Sequence, residues 1–267
     1  MNAKIILKAI LPPFLIVRIR KLKTNRHGWH GNYASWKEAQ AASTGYDTDK
    51  ILQAVRASLL KVKNGKAVYE RDSVIFDEIQ YSWPLLSGLL VSAAKNHGRL
   101  DVLDFGGSLG STYFQNKKFL DKLDHVAWNI VEQQHFVNVG RKEFEDDKLK
   151  FYYTIDECVK KAQPNVLLLS SVLQYVEKPY ELLDEILSYG FEYILIDRTP
   201  FSLGNQNKIK LQIVPPSIYE ASYPCWIFNE SCFINYFILK EYRIIESFDG
   251  SDIKSNDCQF KGMILGR

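Results

Sequence analysis

The chain has 267 residues, 46% hydrophobic and 24% charged, which is room for one large domain or a domain with an appendage of ordinary globular composition. Residues 1–26 hold seven Lys or Arg and no acid, so a net charge of +3 leaves −4 on the remaining 241 residues. A mildly acidic body lacks the basic face that phosphates require, and no nucleic-acid partner is expected.

The four cysteines, Cys158, Cys225, Cys232 and Cys258, form no C-x-x-C pair and read as reduced thiols of a cytoplasmic protein. The arm from residue 1 to 26 carries an apolar run, Ile5 to Val17, broken by Lys8 and Pro12-Pro13. It is shorter than the roughly 20 apolar residues of a spanning helix. Arg18, Arg20, Lys21, Lys23 and Arg26 follow directly. An apolar patch beside a basic cluster suits peripheral contact with the inner face of an anionic membrane; packing on its own domain or a partner is the alternative.

Residues 27–97 read as a helical cap. Gly28, Gly31 and Asn32 mark turns, and Ser35 with Glu38 fits a capping box. His27 and His30 have no third ligand at metal spacing, so no metal is expected. Apolar residues recur at helical spacing over 48–63 and again over 70–95, where Pro84 predicts a kink.

From residue 98 the pattern alternates. Strands are predicted at Leu100–Leu103, Val126–Val131, Leu149–Tyr153, Val166–Leu169 and Tyr193–Ile196. Helices are predicted between them at 111–123, 134–145, 156–162 and 179–189. Tyr242–Phe248 and Phe260–Leu265 read as a closing antiparallel hairpin. The expected fold is α/β: a doubly wound, Rossmann-like seven-stranded sheet of five parallel strands plus that hairpin, over 98–267, with the N-terminal helical cap. Residues 198–228, rich in proline and aromatics, read as a long irregular insert. Sheets of this kind bind ligands at the carboxyl ends of their strands. That places Asp104, Glu132, Asp156, Ser170, Ser171 and Asp197 on one rim.

The stretch Asp104-Phe105-Gly106-Gly107-Ser108-Leu109-Gly110 joins the first of these strands to its helix. Glycines there allow left-handed backbone and close ligand approach. A phosphate loop of the NTPase kind requires lysine after the last glycine, where Ser111 stands. A dinucleotide fingerprint requires glycine where Phe105 stands. The stretch resembles instead the acid-x-G-x-G-x-G loop of class I S-adenosylmethionine-dependent methyltransferases, with Ser108 replacing the middle glycine. Two further features strengthen the resemblance: Glu132, 28 residues after Asp104, and Ser171-Val172-Leu173-Gln174-Tyr175 ahead of a helix opened by Pro179.

The segments Gly28-Trp29-His30-Gly31-Asn32-Tyr33-Ala34-Ser35-Trp36, Gly45-Tyr46-Asp47, Tyr69-Glu70-Arg71-Asp72-Ser73 and Leu173-Gln174-Tyr175 carry the likeness further. Together with the loop they resemble a bacterial family assigned as methyltransferases and associated with cell-surface polysaccharide gene clusters. The resemblance covers nearly the whole chain.

It implies S-adenosylmethionine as cofactor, held by Asp104, Gly106, Gly107, Ser108 and Gly110. Glu132 would grip the ribose hydroxyls and Asp156 the adenine, with Ser170 and Ser171 beside the methyl donor. Asp197 is the candidate base and Tyr175 a polar neighbour of the methyl group. Arg198 is placed to hold an acidic acceptor, and Tyr219, Tyr223 and Trp226 to form an aromatic platform for a sugar. The implied reaction is O-methylation of a glycan or its precursor. Two alternatives stay open: a non-catalytic cofactor-binding module of a membrane-associated assembly, and a nucleotide-sugar-modifying enzyme of another reaction type.

Overall fold

The computed structural model describes residues 27–45, 48–250 and 258–267. They fall into two compact units, one comprising residues 27–45 with Ile209–Cys225, the other residues 48–208 with residues 226–250 and 258–267. The arm proposed for membrane contact and the turn after Gly250 lie outside the described residues. Among the described residues no helix is long and apolar enough to cross a membrane.

In chain order, β1 (Gly28–Tyr33) and α1 (Trp36–Ala41) are followed by α2 (Thr48–Lys63), β2 (Tyr69–Arg71), β3 (Val74–Phe76) and α3 (Trp83–Lys95). The alternating region gives β4 (Arg99–Phe105), α4 (Ser111–Leu120), β5 (His125–Val131), α5 (Gln134–Glu143) and β6 (Leu149–Tyr152). It continues with α6 (Ile155–Ala162), β7 (Val166–Ser170), a 3-10 turn (Leu173–Tyr175), α7 (Pro179–Leu187) and β8 (Tyr193–Ser202). The chain ends with β9 (Lys208–Ile213), β10 (Ser222–Ile227), α8 (Glu230–Leu239), β11 (Arg243–Asp249) and β12 (Cys258–Gly266).

The larger unit is built on a seven-stranded sheet of order β11-β12-β8-β7-β4-β5-β6. The strands from β4 to β8 pair parallel, and β12 pairs antiparallel with both β8 and β11. This is the expected doubly wound fold. Its parallel strands read as near-continuous apolar runs because both faces are covered: Val102, Leu103, Leu167, Leu168, Ile194 and Leu195 are fully buried. In register, Phe105 lies opposite Val131, Asp104 opposite Leu168 and Ser170 opposite Asp197. The ends of β4, β5 and β7 therefore share one rim with the middle of β8.

The smaller unit carries most of a three-stranded sheet of order β1-β9-β10. Ser222 ties the strands to the segment after α1, its amide donating to Thr44 Oγ1 at 3.0 Å and its Oγ accepting from the Thr44 amide at 2.8 Å. Ser35 caps α1 as expected, the Glu38 amide donating to its Oγ at 3.2 Å, while the Glu38 carboxylate accepts from the Ala34 amide, one residue before the cap, at 3.1 Å.

Two expectations are corrected, and one helix is added where the sequence predicts none. Residues 70–95 do not form one kinked helix. They form the β2–β3 hairpin, turned by Asp72 and Ser73 at φ 51° and 70°, and then α3. Pro84 sits in the first turn of α3, where its missing N–H is not needed. The insert 198–228 is not irregular, because β8 continues through Pro200 to Ser202, and β9 and β10 follow. Proline removes only its own N–H, and the Pro200 carbonyl still accepts from the Phe228 amide at 3.0 Å. Helix α8, unexpected from its aromatic-rich sequence, is capped by Asn229, whose side chain accepts from the Cys232 amide at 2.8 Å. It buries Phe233 and Phe237.

One helix position tests the packing. A Cβ at Gly140 of α5 would meet the Phe151 ring at 2.4–2.7 Å. Helix propensity alone favours alanine there by about 1 kcal/mol. Overpacking costs roughly 1–3 kcal/mol and reverses the sign. Gly140→Ala is expected to lower the urea midpoint without changing the slope.

Candidate functional site

The glycine loop leaves β4 at Phe105 and enters α4 at Ser111. Gly106 and Gly110 stand at φ 71° and 104°, a left-handed region that side chains resist. A Cβ on Gly106 would meet Val172 Cγ2 at 2.5 Å, and one on Gly107 would meet the Asp104 carboxylate at 2.4 Å. The loop backbone is thus pressed between the β7 exit and the end of its own strand. Substitution at either glycine would push it outward into the space above the rim.

Asp104 is 1% exposed, and its Oδ2 accepts from Trp128 Nε1 at 2.9 Å. Burial raises its carboxyl to about 7; the Trp128 hydrogen bond opposes this and the neighbouring Glu132 adds to it. Asp104 supports the loop from beneath. Glu132, at the end of β5, accepts the Gln133 amide at 2.7 Å and also the Ser108 amide. Burial raises its pKa, against those two hydrogen bonds.

Ser108 stands at φ 55°. It adopts the left-handed backbone usually left to glycine, at a cost of about 1–2 kcal/mol. Its amide then points at Glu132. The one departure from the glycine pattern therefore keeps the glycine conformation and links the loop to the acid of the next strand.

The β7 exit forms the opposite wall. Ser171 is left-handed at φ 54°, and its amide donates to the Asp197 carbonyl at 3.0 Å. The fully buried Gln174 donates from Nε2 to Ser171 Oγ at 3.1 Å and to the Arg198 carbonyl at 3.3 Å. Gln174 thereby ties Ser170-Ser171 to Asp197-Arg198. Tyr175 is half-buried at the end of the 3-10 turn. Trp226 Nε1 donates to the carbonyls of Val176 and Glu177 at 3.1 and 3.2 Å, which anchors the indole to this same segment.

Arg198, at φ 51°, forms a two-point ion pair with Asp72 of the β2–β3 turn. Asp197 is 4% exposed. Asp72, Ser73, Ser108 and Ser171 in the loops just described, and Arg198 within β8, are five non-glycine residues in left-handed conformations. Backbone strain of this kind concentrates at functional sites.

The structure therefore brings together Asp104, Gly106, Gly107, Ser108, Gly110, Glu132, Ser170, Ser171, Tyr175, Asp197, Arg198 and Trp226. Asp156 stands apart in the first turn of α6. It is exposed and pairs with Lys160 at 2.6 Å, while Thr154 caps the helix. Tyr219 and Tyr223 belong to the smaller unit, with their hydroxyls 3.4 Å apart.

Glu70, Trp128 and Gln174 carry no site role in the sequence analysis, although Glu70 and Gln174 stand in segments that carry the resemblance. The signals were a cluster of charge before the first sheet strand, a tryptophan inside an apolar strand and a glutamine beside an expected loop tyrosine.

A seven-stranded, doubly wound Rossmann-like sheet with a glycine loop after the middle one of its five parallel strands defines the class of fold. No protein-family model and no curated protein matches the chain. Among solved structures, it is similar to the N-terminal domain of EvdMO1, crystallised with S-adenosylhomocysteine and D-fucose. That match has 13% identity and a TM-score of 0.49, over 83% of this chain and 97% of that one. It is also similar to magnesium protoporphyrin IX methyltransferase of Synechocystis PCC 6803 with bound S-adenosylmethionine: 10% identity, TM-score 0.46, 69% of this chain and 78% of that one. A third is the glycopeptide N-methyltransferase MtfA complexed with sinefungin: 10% identity, TM-score 0.43, 65% of this chain and 90% of that one.

Proposed function

We propose that the chain is an S-adenosylmethionine-dependent methyltransferase that methylates an oxygen of a cell-surface glycan or its precursor. The observation that carries the reading is the glycine loop, held without side chains against Val172 and Asp104 and linked through Ser108 to Glu132. This arrangement offers close backbone approach at the loop and a carboxylate at the next strand end, which suits an uncharged ribose and an amino-acid tail rather than a phosphate. Gly106, Gly107, Ser108 and Gly110 would cradle the cofactor and Glu132 the ribose hydroxyls. Ser170 and Ser171 would line the donor side. Asp156 would reach the adenine only if released from Lys160.

When bound, the cofactor supplies a methyl group on a positively charged sulfur. The protein's part is then alignment of an acceptor and removal of its proton. Asp197 is assigned as the base that takes the hydroxyl proton, with Tyr175 as a polar neighbour. Arg198 would bind an acidic group of the acceptor by exchanging it for Asp72. Trp226 of the larger unit would offer aromatic surface to a sugar, and Tyr219 and Tyr223 would do so separately in the smaller unit. The place of work would be the cytoplasm, at the inner face of the membrane if the basic arm docks there.

Calorimetric titration is the first test. S-adenosylmethionine is expected to bind, and NAD and nucleotide-sugars are not; the reverse result sinks the reading. A labelled-methyl assay on glycan extracts tests the acceptor class. In that assay Asp197→Asn is expected to lower transfer on the order of 100-fold while cofactor affinity stays unchanged. A variant with full transfer would remove Asp197 as the base.

A further inference from the structure

The cofactor's amino-acid tail carries an ammonium group, and within the glycine loop the nearest acid is unsuited to it. Asp104 lies beneath the loop, with the Gly107 backbone directly over its carboxylate (a Cβ there would meet it at 2.4 Å), and is bonded to Trp128 Nε1. A second buried acid meets the loop at its other end, where it becomes α4. Glu70 of β2 is 1% exposed, and its Oε2 accepts from Ser111 Oγ, the first residue of α4, at 2.7 Å. Its Oε1 accepts from the Ser73 amide at 2.7 Å. The hairpin bearing Glu70 is fixed to α4 a second time, since Gln115 Nε2 donates to the Tyr69 hydroxyl at 3.1 Å.

Both hydrogen-bond partners of Glu70 among the described residues are neutral donors. A carboxylate has about four acceptor positions, so two remain. Burying such a group without a cation in direct contact is costly. Arg198 acts on it only from a distance, and the nearby Asp72 charge opposes that help. Burial accordingly pushes the Glu70 carboxyl up, against the hydrogen bonds from Ser111 and Ser73.

A structural role in closing the hairpin turn accounts for the Ser73 contact. It does not require an acid that also reaches across to the start of α4. An incoming cation at the loop would supply what Glu70 lacks.

We propose that Glu70, carried to the glycine loop by the β2–β3 hairpin, is the counter-charge for the α-ammonium group of the cofactor. The assignment rests on the cofactor reading above and adds to it a residue from outside the sheet. It also gives the hairpin a purpose: its neutral anchors place an anionic group beside the loop, ready for the ligand.

The test uses the full chain and three ligands: S-adenosylhomocysteine, its analogue lacking the amino group, and 5′-methylthioadenosine, which lacks the amino-acid tail. Titration calorimetry gives the affinities. Glu70→Gln keeps the size of the side chain and removes its charge. It is expected to weaken S-adenosylhomocysteine about 30-fold, as loss of one partner of a buried charge pair does, and to leave the other two ligands within about threefold. Equal losses for all three ligands, or none, would overturn the proposal by showing a structural role.

Glu70→Asp keeps the charge but shortens its reach, and serves where E70Q does not fold. A smaller loss confined to the amino-bearing ligand is then expected, and an unselective loss overturns the proposal. A folded wild-type chain that binds none of the three removes the cofactor reading and this assignment with it. Failure of Glu70 alone instead leaves wild-type binding of S-adenosylhomocysteine intact.

Discussion

Glu132→Ala is expected to weaken binding of S-adenosylhomocysteine by about 100-fold or more. The carboxylate stands at the end of β5, one strand from the glycine loop. A ribose diol there would form two hydrogen bonds to a charged acceptor, each contributing about 1.5–3 kcal/mol. Their joint loss is what sets the factor. Alanine would also release the Ser108 and Gln133 amides, which now share this carboxylate. Ser108 would lose the partner that its strained backbone serves, so part of the effect arises from a looser loop.

Glu132→Gln separates the two contributions. It keeps a carbonyl oxygen for the amides and removes the charge, and a loss of only about 10-fold is expected. Calorimetry on both variants, with melting curves to verify folding, checks the order. Wild-type affinity in Glu132→Ala would place the ribose elsewhere.

The parts of this site that were legible in the sequence are those where local chemistry permits one solution. Val166–Leu169, and Leu100–Leu103 apart from Asp101, read as buried parallel strands because sheets covered on both faces require near-continuous apolar runs. The glycines at 106, 107 and 110 read as a ligand loop from their spacing after an acid, and the structure gives the reason: a Cβ at 106 or 107 would collide, and 110 stands at φ 104°.

What was not legible depends on partners far along the chain. The β2 and β3 strands are three residues each, too short to show a period, and apolar residues on either side imitate a helix. Glu70 falls within the helix that spacing predicts over 70–95, and its place beside the loop depends on Ser111, 41 residues later. The insert concealed β9 and β10 because proline and aromatics suggested a loop, although Lys208-Ile209-Lys210-Leu211 alternates as a strand does. Ser108 looked like a defect, and its left-handed backbone shows that the loop geometry was kept.

Asp104→Asn is expected to remove a pH dependence of stability amounting to about 4 kcal/mol. In the folded chain the Asp104 carboxyl titrates near 7, whereas an unfolded chain would titrate it near 3.9. Between those values the folded protein holds a proton that the unfolded chain has released. Stability therefore falls as pH rises from about 4 to about 7, and the penalty is complete above that.

Asparagine has the same shape, can still accept from Trp128 Nε1, and carries no charge at any pH. Its melting temperature is expected to exceed that of the wild type at pH 8, with the difference closing toward pH 5. Parallel curves would show that Asp104 titrates normally.

The same variant bears on function. If Asp104 held the cofactor's ammonium as an anion, the asparagine would bind S-adenosylhomocysteine far more weakly. As a support beneath Gly107, with Glu70 supplying the counter-charge, it should retain affinity within about threefold. Retention in Asp104→Asn beside selective loss in Glu70→Gln would assign the two buried acids to different tasks, one holding the loop from below and one meeting the ligand at its far end.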